Sequence, residues 1–130
     1  MDYSNAKASQ KIVVTLDGAN FKDVIIGSGA VVDRVKNIQN IYGGAGNDSI
    51  YGDGNSNILD GGSAGTNSLY GAGGNDTLIG SGTGIDIAYY KPASASIYVD
   101  MNQSAQVVRD GDGGSDILID INEIHGSDYG

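Results

Sequence analysis

Single apolar residues recur at regular intervals through the middle of the chain, each between two neighbours of strand-forming type. These positions hold Ile50, Leu59, Leu69, Leu78 and Ala88. One inward residue between two outward ones is the pattern of a very short β-strand, because successive side chains point to opposite faces of a sheet. On either side of this region apolar residues alternate at the strand period, as in Ile97, Val99 and Met101. The pattern predicts an all-β chain without a long helix.

A glycine-rich repeat of about nine residues underlies the central pattern. The units are residues 43–51, 52–60, 61–70, 71–79 and 80–89, with an isolated further unit at 111–119. Residues 43–51 are a complete copy of G-G-x-G-x-D-x-U-x, where U is apolar, and residues 71–79 are nearly complete. Each unit reads as a glycine turn followed by a short strand. We expect two units to complete one coil, so that like strands stack two units apart at about 4.8 Å.

A longer repeat surrounds the glycine-rich units. Residues 33–43 match residues 116–126, and residues 3–17 echo residues 90–102. The predicted parts, together forming one compact domain, are a β-rich flank at 1–42, a roll of repeats at 43–89 and a second β-rich flank at 90–130. The second flank ends where the first continued into glycine repeats, so we expect the chain to be a fragment of a longer array.

Composition narrows the chemistry. The chain has 22 Gly and a formal net charge of −9, from 16 Asp and Glu against 7 Lys and Arg. This acidity argues against a nucleic-acid partner, which needs a basic patch. The lack of Cys excludes disulfides and thiolate metal sites, and no apolar run approaches the roughly 20 residues of a transmembrane segment. Gly, Asn and Asp suit a hard cation with oxygen ligands, and self-repulsion predicts a chain that folds when the cation binds.

The two best units, at 43–51 and 71–79, give the chain a clear resemblance to the RTX (repeats-in-toxin) family of hemolysin-type calcium-binding repeats. The resemblance implies an all-β fold built on a right-handed parallel β-roll, a β-solenoid, with Ca²⁺ bound between its turns. It also implies type I secretion and an extracellular or cell-surface location. The flanks resemble, less specifically, segments that interrupt the rolls of large RTX proteins.

In that family, Asp side chains from turns two units apart bind Ca²⁺ together with carbonyl oxygens of the turns. Carried onto this chain, one edge of the roll pairs Asp48 with Asn67 and Asn67 with Asp86. The other edge pairs Asn57 with Asp76. Each Asn keeps an oxygen but removes a charge, so the sites that contain Asn are expected to bind calcium more weakly.

Asp116 follows the isolated glycine turn and is a further candidate ligand, whereas the equivalent Asp33 follows apolar residues and is expected to be structural. The remaining candidate ligands are turn residues of the repeats. They are Gly43, Gly44, Ala45, Gly46, Gly61, Ser63, Gly65, Gly71, Gly73 and Gly74.

Two observations bear on the kind of function. The sole histidine, His125, has no visible nucleophile partner, so we expect no enzyme. Tyr51, Tyr70 and Tyr89 close alternate units and predict an outward ladder that either stabilises one sheet or offers a platform to a sugar or protein. The favoured function is a calcium-folded structural module of a large toxin or adhesin, in contact with neighbouring modules of the same polypeptide. The alternative is an accessory module that binds surface glycans or another partner.

Overall fold

Short strands dominate the structure, because each repeat unit supplies only three residues of extended chain. The computed structural model describes residues 1–100 and 106–129, a part of the chain that contains thirteen strands and no helix. The strands are β1 (Ile12–Thr15), β2 (Lys22–Ile26), β3 (Ala30–Val35), β4 (Asn40–Tyr42), β5 (Ser49–Tyr51), β6 (Ile58–Asp60), β7 (Ser68–Tyr70), β8 (Thr77–Ile79), β9 (Ile87–Tyr89), β10 (Tyr98–Asp100), β11 (Gln106–Arg109), β12 (Ser115–Ile119) and β13 (Glu123–His125). The all-β prediction is confirmed.

Strands of alternate units pair in parallel. β5, β7 and β9 lie side by side in one sheet, and β4, β6 and β8 lie side by side in the other. Ile50 is opposite Leu69, and Leu59 is opposite Leu78. From β4 to β9 the chain therefore crosses between the two sheets after every strand, and the predicted stacking two units apart is confirmed.

Antiparallel strands extend both sheets beyond the repeats. β1 pairs in parallel with β5 and continues through antiparallel β2 and β3, which gives a seven-stranded sheet in the order β13-β9-β7-β5-β1-β2-β3. β12 pairs in parallel with β8 and continues through antiparallel β11 and β10, which gives a six-stranded sheet in the order β10-β11-β12-β8-β6-β4. Of the predicted alternation in the second flank, Val99 lies in β10, while Met101 lies outside the described residues.

The inward residues form one apolar core between the sheets. All five residues predicted to point inward are 0% exposed, namely Ile50, Leu59, Leu69, Leu78 and Ala88. The same core includes Ile12 and Val24 of the first flank and Val108 and Tyr90 of the second. The flanks are therefore packed onto the repeats and share their core.

The turns stack so closely that some positions require glycine. Gly65 has a φ of +98°, and a Cβ there would overlap the carbonyl oxygen of Gly46 in the neighbouring turn. Left-handed backbone and close approach of two chains are the two conditions that only glycine meets without strain.

The tyrosine series differs from the predicted ladder. Tyr70 is only 8% exposed, and its ring packs edge to face on Tyr51 and on Tyr90, at centroid distances of 6.1 and 6.2 Å. Its phenol donates a hydrogen bond to Asp112. Tyr89 instead contacts the ring of the single histidine. The prediction of one continuous outward ladder is wrong, because the second flank offers Tyr70 a ring contact, from Tyr90, and a hydrogen-bond acceptor, Asp112.

Candidate metal centre

Side chains of the repeat Asp and Asn positions form hydrogen-bonded ladders along the two edges of the coil. On the first edge, the N–H of Asp48 donates to Oδ1 of Asn67 at 2.9 Å, and the N–H of Asn67 donates to Oδ1 of Asp86 at 3.3 Å. The ladder continues at both ends, with Ile12 N–H donating to Asp48 and Asp86 N–H donating to Oδ1 of Asn122, each at 2.8 Å. The structure thus brings together the neighbours that the sequence paired on this edge.

The second edge repeats the arrangement. The N–H of Asn57 donates to Oδ1 of Asp76 at 2.7 Å, and the N–H of Asp76 donates to Oδ1 of Asp116 at 3.1 Å. All three side chains are buried. The isolated unit at 111–119 therefore continues this edge, although an antiparallel excursion separates it from the other repeats.

The second oxygen of Asp76 on the second edge differs from those of Asp48 and Asp86 on the first. On the first edge they have protein donors: Oδ2 of Asp48 accepts from Gly44 N–H at 2.9 Å, and Oδ2 of Asp86 accepts from Ser81 N–H at 2.6 Å. On the second edge, Oδ2 of Asp76 is buried and has no hydrogen-bond partner. A buried anionic oxygen without a donor needs a proton or a cation.

Three buried carboxylates meet at this point. Asp76, Asp110 and Asp116 each place one carboxylate oxygen within 4.8 Å of the others, and all three side chains are at most 1% exposed. We call these residues the carboxylate cluster. Oδ2 of Asp110, like that of Asp76, is buried and has no hydrogen-bond partner. Two oxygens bound to one Ca²⁺ lie at most about 5.2 Å apart, since each ligand distance is roughly 2.3–2.6 Å, so the cluster fits a single calcium ion.

The turn at the start of β12 aims the Asp110 side chain. Its Oδ1 accepts hydrogen bonds from the N–H groups of Asp112, Gly113 and Gly114 at 2.8, 2.9 and 2.9 Å. This is the capped turn that Asp favours, and it uses one oxygen while leaving the other for the cluster. A Cβ at Gly114 would lie 2.5 Å from Oδ2 of Asp110, so glycine keeps that side open.

Electrostatics in the cluster disfavour three bare charges. Burial raises the pKa of Asp76, and the charges of Asp116 and Asp110 raise it further. Burial also raises the pKa of Asp116, although hydrogen bonds from Tyr90 and from the Asp76 N–H oppose the shift. The Tyr90 phenol donates to Oδ2 of Asp116 at 2.7 Å, and burial together with that carboxylate raises the phenol's pKa. Oxygen-only chemistry, buried charge and oxygens without donors together fit a hard divalent cation.

The predicted backbone ligands lie in stacked turns. Ser63 N–H donates to the carbonyl of Gly44 at 2.9 Å, and a Cβ at Gly43 would lie 2.7 Å from the carbonyl oxygen of Gly61. On the second edge, Gly71 faces the Asp76 carboxylate closely enough to exclude any side chain. The remaining predicted turn residues, which line these same two rows of turns, are Ala45, Gly46, Gly65, Gly73 and Gly74.

Sequence reasoning missed two residues of these edges. Asp110 comes just before the first glycine of its unit, a position held in the other units by Tyr42, Tyr51, Asp60, Tyr70 and Ile79. The density of acids from Asp110 to Asp116 around one turn was the available signal. Asn122 ends the first ladder without any glycine turn before it, so the repeat pattern gives no signal for it.

Asp33, which was expected to be structural, accepts a hydrogen bond from the Tyr3 phenol at 3.2 Å. No acidic cluster comparable to the carboxylate cluster occurs elsewhere in residues 1–100 and 106–129. The same described residues contain no helix long and apolar enough to cross a membrane.

The comparisons with known proteins agree with this geometry. No curated protein sequence matches the chain significantly. The family model for the RTX calcium-binding nonapeptide repeat matches residues 38–63 and 62–87, with four copies of the repeat. Asp76 lies within the matched region, whereas Asp110 and Asp116 lie beyond it. Residues 38–87 of this chain are therefore similar to RTX repeats, a sequence type that binds Ca²⁺.

Proposed function

We propose that the chain is a calcium-folded structural module of a larger extracellular protein, with its repeats forming a right-handed β-roll. The observation that carries the proposal is the carboxylate cluster, where Asp76 and Asp110 each bury an oxygen that has no hydrogen-bond donor. The family of the repeats supplies the identity of the ion. The proposed role is structural and includes no catalytic step.

Charge explains why the ion would control folding. The three carboxylates of the cluster carry up to three negative charges at buried positions, which carries a large penalty unless a cation is present. One Ca²⁺ bound there would leave a formal charge of −1 on the site. An ion that binds only the folded state adds about 2.7 kcal/mol to stability at 100 times its Kd.

The first edge offers further, weaker sites. We assign calcium-facing roles there to Asp48, Asn67 and Asp86, and to the carbonyls of the turns around Gly43 and Gly61. Because Asn67 brings no charge, and because the second oxygens of both aspartates already have N–H donors, these sites rank below the carboxylate cluster. On the second edge, Asn57 next to Asp76 is a site of the same weaker kind.

The proposed extracellular location follows from the calcium affinity expected for such a module. Extracellular calcium modules typically have Kd values of about 10⁻⁴–10⁻³ M. A module in that range stays empty at cytosolic calcium levels and fills outside the cell, which would keep the chain unfolded for type I secretion and fold it afterwards. Calcium-free folding would remove the basis for this switch.

The deciding experiment is far-UV circular dichroism of the full chain in EDTA, with subsequent additions of CaCl₂ or MgCl₂. We expect a gain of β-structure with millimolar calcium and a much smaller gain with magnesium, which keeps its waters and tolerates fewer ligand geometries. Calcium titration calorimetry on Asp76→Asn, beside the surface control Asp23→Asn, then locates the strongest site. Asp23 is a matched control because its side chain is 54% exposed and pairs only at the surface with Arg34. An identical spectrum in EDTA and calcium would contradict the proposal.

A further inference from the structure

The two flanks of the repeats are copies of one structural unit. Residues 3–42 and 90–125, here called the first and second junction units, make the same backbone contacts at equivalent positions. Tyr3 N–H donates to Tyr42 O at 2.8 Å, and Tyr90 N–H donates to His125 O at 2.7 Å. The equivalence therefore extends from the sequence repeat to individual hydrogen bonds.

Side chains and backbone angles agree as well. The Tyr3 phenol donates to Oδ2 of Asp33 at 3.2 Å, as the Tyr90 phenol donates to Oδ2 of Asp116 at 2.7 Å. Asn37 and Asp120, each four residues after its aspartate, both have a φ of 54°. These angles are left-handed, which is uncommon for residues other than glycine.

Strand pairing within the units also matches. Val24 pairs with Asp33 between β2 and β3, as Val108 pairs with Asp116 between β11 and β12. Both valines are 0% exposed. β1, β2, β3 and β4 of the first unit thus correspond to β10, β11, β12 and β13 of the second.

The two junction units contact the glycine-repeat coil through opposite edges. In the first unit, β1 pairs in parallel with β5, and β4 pairs in parallel with β6, so this unit contacts the coil that follows it. In the second unit, β12 pairs with β8, and β13 pairs with β9, so this unit contacts the coil that precedes it. Each junction unit therefore has two edges that can pair with a coil. In this chain the first unit pairs through one of these edges, and the second unit pairs through the other.

We infer that each junction unit joins two glycine-repeat coils, and that the outer edge of the second unit takes a further coil like residues 44–89, head to tail on one polypeptide. In that arrangement β10 pairs with a strand equivalent to β5, and β13 pairs with a strand equivalent to β6. Both β10 and β13 are outer strands at the same end of the described sheets. The inference rests on the proposed structural function and names the partner that this function requires.

Continuity with contacts already present supports this occupant. Asp2 forms a parallel bridge with Tyr42, in the place that Tyr89 takes beside His125. The chain before Tyr3 therefore runs where the last strand of a preceding coil would run. The first unit shows the complementary contact, since Ile12 N–H donates to Asp48 of the coil that follows at 2.8 Å. Ile97 is the counterpart of Ile12 at the outer edge.

A calcium site at the junction follows from the same equivalence. Asp33 with Tyr3 repeats Asp116 with Tyr90, and Asp116 receives the N–H of Asp76 from the preceding coil. Asp33 is then a half-site, completed when a preceding coil supplies the counterpart of Asp76. The turn before Asp33 has no counterpart of Asp110, because glycine and serine stand there, so this junction site has one carboxylate fewer than the carboxylate cluster.

A fused tandem protein tests the inference. Residues 44–130 are appended directly after Gly126, the counterpart of Gly43, so that the added repeats continue in phase. The control joins two complete chains through a flexible linker of about 20 Gly and Ser residues, which leaves each chain free to fold by itself. Thermal unfolding, calcium stoichiometry and amide exchange are measured in calcium for the single chain, the fused tandem and the linked pair.

We expect the fused tandem to unfold in one transition above the midpoint of the single chain, while the linked pair unfolds at that midpoint. Exchange of the Ile97 amide should slow by about tenfold or more in the fused tandem only, because an outer strand becomes an inner one. Separate unfolding of the added repeats, or unchanged exchange at Ile97, would overturn the inference. The single chain distinguishes the two failures: if it binds calcium and folds while the tandem shows no coupling, the proposed function stands and only the junction is wrong.

Discussion

The N–H of Asp76 donates a hydrogen bond to Oδ1 of Asp116 at 3.1 Å, although forty residues separate them along the chain. Asp76 belongs to a regular repeat, and Asp116 belongs to an isolated unit that returns after two antiparallel strands. Their contact closes one row of turns and places Asp110 beside both. The strongest candidate calcium site is therefore made by the junction between repeats and flank.

Replacing Asp110 should have opposite effects on calcium affinity and on calcium-free stability. Asp110→Asn removes one of the three charges in the cluster, and we expect calcium to bind more weakly by about tenfold or more, or roughly 1.4 kcal/mol for each tenfold. In EDTA the same variant should fold at a lower concentration of a stabilising osmolyte such as sucrose than wild type, because it relieves repulsion between buried carboxylates. Calorimetry in calcium and osmolyte-induced folding in EDTA measure the two effects. Equal affinities for Asp110→Asn and the surface control Asp23→Asn would remove Asp110 from the site.

Replacing Asn67 should strengthen the first edge when calcium is present. Asn67 Nδ2 now donates to Oδ1 of Asp86 at 2.7 Å, and Asn67→Asp exchanges that donor for a second anion. We expect the variant to need more osmolyte than wild type to fold in EDTA, and in calcium to bind an ion more tightly than wild type at this edge. The exposed substitution Asn5→Asp adds the same charge without a partner turn and serves as the control. Tighter binding by both variants would point to general electrostatic attraction in place of a site at Asn67.

The Tyr90 phenol should matter most when calcium is absent. Tyr90→Phe removes the only protein donor to Oδ2 of Asp116 among the described residues, and loss of one partner of a buried polar pair costs about 1–3 kcal/mol. Calcium should reduce this loss of stability, because a bound ion neutralises the charge of the Asp116 carboxylate. Osmolyte-induced folding in EDTA and chemical denaturation in calcium give the two values. Tyr98→Phe is the matched control, because Tyr98 is 62% exposed and its contact with Arg109 uses the ring and not the hydroxyl.

Much of the fold follows directly from the sequence, because the repeat period fixes which residues face inward. Each unit has a single apolar position that can face the core. The repeat period alone therefore predicts that Leu59 and Leu78 point inward, and both are fully buried. The pairing of Asp48 with Asn67 and of Asn57 with Asp76 follows from the same spacing. Local pattern and tertiary contact coincide wherever neighbours along the coil are also neighbours in space.

The prediction failed where distant segments meet. Tyr70 was expected to face solvent, yet the second flank covers it and supplies Asp112 as an acceptor. Asp110 was missed because its position relative to Asp76 depends on how β10, β11 and β12 fold back, and the repeat does not encode that excursion. The repeat spacing in the sequence predicts which residues meet within the coil. It does not predict which residues of the coil meet the flanks, and those contacts are seen only in the structure.

The stacked turns should not tolerate a methyl group at Gly65. Its φ is +98°, and a Cβ there would overlap the carbonyl oxygen of Gly46, so Gly65→Ala combines left-handed strain with a backbone clash. We expect a loss of stability of about 1–3 kcal/mol or more in calcium, the range for strained backbone positions. Gly54→Ala is the matched control within the same repeats, because a Cβ at Gly54 meets nothing within 4 Å. That substitution should be neutral or stabilising by about 0.4–1 kcal/mol through the unfolded state. Denaturant unfolding of the two variants decides the point. If Gly65→Ala were as stable as Gly54→Ala, the close contact between successive turns, on which the stacking of the repeats depends, would not exist in solution.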